Sequence, residues 1–423
     1  MDSSDVTLMG VTKMVPSANR VIKLCFVILA FLFLPPLFLS SCQGSAAEED
    51  APDAAAMGRL PEEEIRFTNG GTTLAGTIFW PVSEVDCRAV VILAGSDRSK
   101  RGPLRIKLAE HFAAHGVAAL VYDSPGTGGS TGNALLQSRD ERALEALAAV
   151  NYLREAPDIR STSVGLFGGS EGADVALMAC TKDPEIAFAI AVSGSFGGSV
   201  LEVSRYSAEK KGYQWGLTLD EITQAITFKE IAFAFLIGPD IVEWSLIESR
   251  MKQWDGDTWA KFVDIAKQHK EKLTREQKEE MLGSLRHVVD QFKSQQWFSM
   301  VDIGDALQRT VNLDVDTFFR LLEEGPYSRG WEGSLCLDAA RIRCPVLAIW
   351  GQEDSFLPPN QSATRLRRIL AGSNHPNYEI EIFDNASHFL TKSGPASEFV
   401  PGYLVRMTTW LDKQVGSGDA AGP

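Results

Sequence analysis

Short apolar runs recur along the chain, and over its first half they alternate with longer stretches of helical character. The runs Ala89 to Leu93, Val117 to Tyr122, Ser163 to Phe167, Ile186 to Val192 and Val346 to Gly351 read as buried strands. Tyr378 to Phe383 alternates polar and apolar and reads as a further strand. Helices are predicted over Pro103 to His115, Leu136 to Arg154 and Ala173 to Cys180. Ahead of them, Glu63 to Pro81 suggests two antiparallel strands about the turn Asn69-Gly70-Gly71. Strands alternating with helices predict an α/β fold with a mostly parallel sheet, flanked by helices and joined by right-handed crossovers.

That alternation lapses between about Phe196 and Cys336, where the pattern is helical throughout. Glu271 to Glu276 opens one helix, with Thr274 as its N-cap and Lys278 to His287 following. The predicted organisation is a core over 61–195 and 336–415, interrupted by a helical cap over 196–335. Six of the nine tryptophans fall in the cap: Trp215, Trp244, Trp254, Trp259, Trp297 and Trp331. They suit either an aromatic acyl pocket or packing within the cap, and packing is favoured for any single one.

The chemistry concentrates at Gly168-Gly169-Ser170-Glu171-Gly172, a G-x-S-x-G between a predicted strand and a predicted helix. Such a nucleophile elbow lifts the serine clear of the sheet, and its glycines avoid collisions that a Cβ would cause. A serine hydroxyl needs a histidine to take its proton, and the histidine needs a carboxylate to orient it. On an elbow-bearing sheet the order along the chain is serine, acid, histidine. Asp354 follows the strand ending at Gly351, where open α/β sheets place their sites, and His388 lies in the loop beyond Phe383. Glu353 is the nearest rival acid. His375 is a rival base, but it precedes the last strand and belongs at the wrong edge of the sheet. The loop Ala94-Gly95-Ser96-Asp97 follows the first core strand, so the backbone N–H groups of Ser96 and Glu171 are the expected oxyanion donors. The neighbouring Asp97, Arg98 and Arg101 are expected either to touch substrate or to be solvated.

With these residues in place the chain resembles the α/β-hydrolases, from Ile65 to Trp410. Asp123-Ser124-Pro125-Gly126-Thr127-Gly128-Gly129-Ser130 is similar to the family's D-x-x-G-x-G-x-S turn, which the resemblance makes structural. The Ser-Glu-Gly elbow resembles a bacterial branch of esterase-like and acyl-transfer members. Gly169 stands where many relatives carry histidine, and the oxyanion loop lacks the usual His-Gly pair. The resemblance implies a serine hydrolase acting on a carboxylic ester or related small-molecule acyl compound. The alternatives are a thioesterase or acyltransferase, or a non-catalytic ligand-binding lipoprotein of the same fold. A peptidase is less attractive, because nothing identifies a site for a peptide's charged amino terminus.

The amino terminus adds a location. Lys13, Arg20 and Lys23 precede an apolar stretch from Leu24 to Leu39, then Ser40-Ser41-Cys42, the build of an export signal over 1–41. Pro35-Pro36 argues against a membrane-spanning helix. Leu-Ser-Ser-Cys resembles a bacterial lipobox, which implies lipidation of Cys42 and attachment to a membrane of the bacterial cell envelope. Gln43 resembles signals sorted to the outer membrane. Residues 42–60 read as a flexible tether and 416–423 as a disordered tail. With 41 basic against 55 acidic residues, a net charge of −14, nucleic acid is not an expected partner. Beyond Cys25 and Cys42 lie Cys87, Cys180, Cys336 and Cys344. Their spacing matches no zinc template, so no metal or other cofactor is expected, and Cys336 with Cys344 is a conceivable local disulfide.

Overall fold

The computed structural model describes residues 60–416, except 83–85, 135–136, 255, 269–272, 301–306, 309, 325–338 and 393–397. The export signal, Cys42, the tether up to residue 59, Trp331, Cys336 and the tail beyond Gly416 lie outside the described residues.

Eight strands form one sheet in the order β1-β2-β4-β3-β5-β6-β7-β8. β1 (Glu62–Asn69) and β2 (Thr72–Phe79) make the expected hairpin, with Gly70 at φ 55° in its turn. β2 runs antiparallel to β4 (Val117–Tyr122). β3 (Cys87–Leu93), β4, β5 (Ile159–Gly169), β6 (Ala189–Val192), β7 (Val346–Gly351) and β8 (Tyr378–Phe383) are parallel. Every residue of β4 and of β7 is buried, which is why these strands read as unbroken apolar runs rather than alternations.

Helices cover both faces. Leu108 and Phe112 of α1 (Pro103–Ala114) pack on one side with Met407 and Trp410 near the C-terminus. On the other side lie α2 (Arg139–Arg154), through Ala146 and Val150, and α3 (Glu171–Lys182), through Val175 and Ala179. α2 begins three residues later than the periodicity predicts. Ser138 and Glu141 form a reciprocal capping box that fixes its first turn there.

Between β6 and β7 the described chain is helical: α4 (Val200–Gln214), α5 (Leu219–Ile237), α6 (Trp244–Met251), α7 (Gly256–Lys267), α8 (Arg275–Phe292) and α9 (Val315–Glu324). Thr274 does cap α8, in a capping box with Gln277. These helices have their own apolar core. The Phe228 ring at its centre meets Phe262, Phe292, Trp297 and Phe298 at centroid distances of 5.1, 5.4, 5.5 and 5.3 Å. Trp259 and Trp297 are buried in that core, Trp244 and Trp254 pack against its edge, and Trp215 is exposed. The described cap tryptophans that are buried therefore serve packing. α10 (Pro359–Gly372) and α11 (Tyr403–Gly416) are the last helices among the described residues.

Cys336, the partner conceived for Cys344, lies outside the described residues. The Cys344 Sγ lies 3.6 Å from that of Cys180 in α3, with both thiols buried and not joined by a disulfide. The helix after the elbow runs past the entry to β7, a proximity that spacing along the chain does not reveal.

Candidate active site

β5 ends at Gly169 and α3 starts at Glu171, which leaves Ser170 between them at φ 54°, ψ −127°. A residue with a Cβ is strained there, and the surroundings must impose the conformation. They do so by backbone bonds: Ser170 N–H donates to Val192 O at 2.8 Å, and Ala173 N–H donates to Ser170 O at 2.9 Å. A Cβ on Gly168 would lie 1.9 Å from Gly172 O, and one on Gly172 would lie 2.6 Å from Ala94 O. The outer glycines of the motif are thus sterically required. Gly169 faces open space, with nothing within 4 Å of its would-be Cβ.

Beyond β7 the chain turns sharply. Glu353 N–H donates to Ala386 O, and a Cβ on Gly351 would lie 2.2 Å from Ser387 O, so the acid turn and the histidine loop are in contact. Asp354 is fully buried. Its Oδ1 accepts from Phe356 N–H at 2.7 Å and Leu357 N–H at 2.9 Å, and its Oδ2 lies 2.7 Å from His388 Nδ1. Two backbone donors thus fix the carboxylate, and its other oxygen fixes the ring. The contact to Asp354 engages Nδ1 and does not use Nε2. Glu353 instead pairs with Lys210 of α4 at 3.1 Å. His375 is occupied at the start of β8: its Nε2 bonds Cys344 O at 3.0 Å, its Nδ1 accepts from Asn377 N–H, and burial lowers its pKa.

Three further residues hold this arrangement and escaped the sequence reading. Ser193, buried at φ 50°, donates its hydroxyl to His388 O at 2.8 Å. It follows Val192, the acceptor for Ser170 N–H, so the end of β6 ties the serine and histidine segments together. Tyr206 of α4 donates its hydroxyl to Asp354 O at 2.6 Å. The Phe356 ring lies 5.0 Å from the His388 ring. These contacts join segments distant in sequence, and no local motif announces them.

The loop after β3 abuts the elbow: a Cβ on Gly95 would lie 3.6 Å from Ser170 Cβ. Ser96 follows Gly95, and Glu171 follows Ser170, so both expected donor amides belong to backbone at this junction. Of the charged residues in this loop, Arg98 is neither solvated nor free for substrate, while Asp97 and Arg101 are half-buried. Arg98 is buried, bonded to Ala134 O, Gln137 O and the Glu171 carboxylate. Arg101 pairs with Glu64 and Asp123, and Asp97 accepts from the Ser99 hydroxyl. Glu171 itself is buried among Arg98, Arg139 and Arg142 at 3.3, 3.4 and 2.9 Å. Burial alone would push its carboxyl up, but the three guanidiniums outweigh burial and hold its pKa at about 2. The Asp123 turn is structural as the resemblance implied. Asp123 Oδ2 accepts from Gly129 N–H, and the Ser130 hydroxyl bridges Asp123 O and Ala75 N–H. Among the described residues, no three His, Cys, Asp or Glu side chains converge as a metal site, and no helix is long and apolar enough to cross a membrane.

A mostly parallel eight-stranded sheet with a strained serine turn between β5 and α3 defines the α/β-hydrolase fold. The chain belongs to the X-Pro dipeptidyl-peptidase (S15) family, whose model matches residues 62–369. It is 32% identical over 136 residues to the polyketide transferase GrgF of a Penicillium species, covering 32% of this chain and 45% of that protein. It is also 32% identical over 161 residues to a putative phosphoribosyl transferase of Mycobacterium tuberculosis, covering 35% of this chain and 33% of that one. The chain thus spans less than half the length of these curated relatives. Among solved structures, it is similar to the α/β hydrolase GrgF of Penicillium sp. sh18 at TM-score 0.47 and 17% identity, covering 84% of this chain and 100% of that one. It is also similar to an esterase of Pyrococcus furiosus at TM-score 0.45 and 15% identity, covering 85% and 90%.

Proposed function

We propose that the protein is a serine hydrolase that cleaves a carboxylic ester or related acyl compound through an acyl-enzyme on Ser170. The observation that carries this reading is the 2.7 Å contact between buried His388 Nδ1 and Asp354 Oδ2, tied through β6 to the strained Ser170 turn. His388 Nε2 takes the Ser170 proton as Oγ attacks the carbonyl, and the Ser96 and Glu171 N–H groups meet the developing oxyanion. His388 then returns the proton to the leaving group. Water, deprotonated by the same nitrogen, releases the acid and restores the serine.

The test is hydrolysis of p-nitrophenyl esters of increasing acyl length by wild type, Ser170→Ala, His388→Ala and Asp354→Asn. Each substitution is expected to lower kcat by at least about 10³-fold. Undiminished turnover by Ser170→Ala would sink the mechanism.

Membership of the X-Pro dipeptidyl-peptidase family supports a second reading, amide cleavage after proline. An X-Pro peptidase must hold the peptide's ammonium group near the elbow. Among the described acids near Ser170 and His388, Glu171 is engaged by three arginines, Glu353 by Lys210, Asp354 by His388 and Asp97 by the Ser99 hydroxyl. This favours the ester. Xaa-Pro-p-nitroanilides assayed beside the esters decide between the two by their kcat/KM ratio. We propose further that Cys42 carries a lipid anchor in the bacterial cell envelope. Incorporation of labelled palmitate in the bacterial host, lost in Cys42→Ser, is the expected result.

A further inference from the structure

Arg142 lies in the second turn of α2 and is buried, yet it belongs to none of the catalytic segments. Its Nη2 donates to Ala94 O at 2.6 Å and to Gly95 O at 3.2 Å. Its Nη1 lies 2.9 Å from Glu171 Oε2, an ion-pair contact. One guanidinium therefore contacts both sides of the Ser170 turn: two backbone carbonyls of the loop after β3 and the carboxylate of the first residue of α3.

Peptide geometry gives this grip a consequence. The Gly95 C=O and the Ser96 N–H belong to one planar trans peptide and point in opposite directions. Gly95 O is held by Arg142 Nη2 on one side and by Arg98 N–H at 3.3 Å. Rotation of this peptide would break both bonds and leave the half-buried Gly95 carbonyl without either donor, which is costly. With the carbonyl drawn to Arg142, the N–H turns the other way. Gly95 Cα stands beside Ser170, its would-be Cβ 3.6 Å from Ser170 Cβ. At the other end of the grip, the Glu171 carboxylate holds the residue that supplies the second amide.

We infer that Arg142 is a positioning residue for the oxyanion hole: by holding Gly95 O and the Glu171 carboxylate, it presets the Ser96 and Glu171 N–H groups beside Ser170. This rests on the acyl-enzyme reading above. The guanidinium's fork matters as well as its charge, since lysine offers a point charge and no second planar donor. A preset donor pair acts mainly on the transition state, where charge develops, and little on ground-state binding.

The experiment compares wild type, Arg142→Lys, Arg142→Gln and Ser170→Ala on one p-nitrophenyl ester, with thermal melting of each. An alkyl boronic acid serves as tetrahedral-adduct probe, and the substrate's carboxylic acid product as ground-state probe. Arg142→Gln is expected to lose about 10²-fold in kcat and a similar factor in boronate affinity. KM and product affinity should stay within about threefold of wild type. Arg142→Lys, which keeps the charge, is expected to fall between the two and serves alone if Arg142→Gln does not fold. A folded Arg142 variant with undiminished kcat, or one that loses boronate and product affinity equally, overturns the inference while leaving the hydrolytic reading intact. Full turnover by Ser170→Ala overturns both.

Discussion

Ser170 holds a strained backbone only because its neighbours lack side chains at two places, and the three glycines around it are not equivalent. Gly168→Ala would drive a Cβ into Gly172 O, 1.9 Å away, and rigid backbone has little room to yield. We expect it to lose about 3 kcal/mol of stability in urea denaturation, at the upper end for overpacked sites. Gly169→Ala meets nothing within 4 Å and should stay within about 0.5 kcal/mol of wild type in the same measurement. Glu171 has a pH signature. Its folded pKa of about 2 lies below the ordinary 4.5 of the unfolded chain. Its contribution to stability is therefore complete above pH 4.5 and is lost as pH falls through 2. Denaturation of wild type and Glu171→Gln at several pH values should show the largest gap above pH 5, closing towards pH 2. A gap that does not change with pH would refute the ionised, arginine-held carboxylate.

At the scale of elements, α4 is the part of the cap that touches the acid turn. Tyr206 bonds Asp354 O, Lys210 pairs with Glu353, and the Lys211 Nζ lies 4.0 Å from the centre of the Phe356 ring. Val203 joins Phe356 and Leu357 in a small apolar cluster at the same place. Tyr206→Phe removes one hydrogen bond and should cost about 1 kcal/mol, with kcat lowered about threefold. An unchanged kcat would mean that the turn holds Asp354 without help from α4. The central strands were legible in the sequence because a parallel strand buried on both faces is an apolar run, and Val117–Tyr122 and Val346–Gly351 match the predicted limits. The half-buried strand Tyr378–Phe383 was legible by its alternation. The elbow was legible because its glycines answer a local steric need. The grip of Arg142, the bond from Ser193 and the true setting of Arg98 were not, since each depends on a partner tens of residues away. A charged loop looks solvated in a sequence whether or not three arginines close on a buried carboxylate.

On the scale of the whole molecule, the cap core around Phe228 is distinct from the two cores that sandwich the sheet. Phe228→Ala leaves a cavity at the meeting point of four rings and should cost about 3–5 kcal/mol. Because that loss falls on one core, hydrogen exchange should accelerate in α5, α7 and α8 while the amides of β3 to β7 keep their protection. Uniform acceleration across the molecule would show that cap and sheet unfold as one. The cap is also bracketed in space. Cys180 precedes it and Cys344 follows it, with their sulfurs 3.6 Å apart. Joined by a disulfide, with oxidised glutathione accepting the two electrons and two protons, the pair would turn the whole cap into a closed covalent loop. A single proteolytic cut anywhere in that loop would then leave one species on a non-reducing gel and two fragments after reduction.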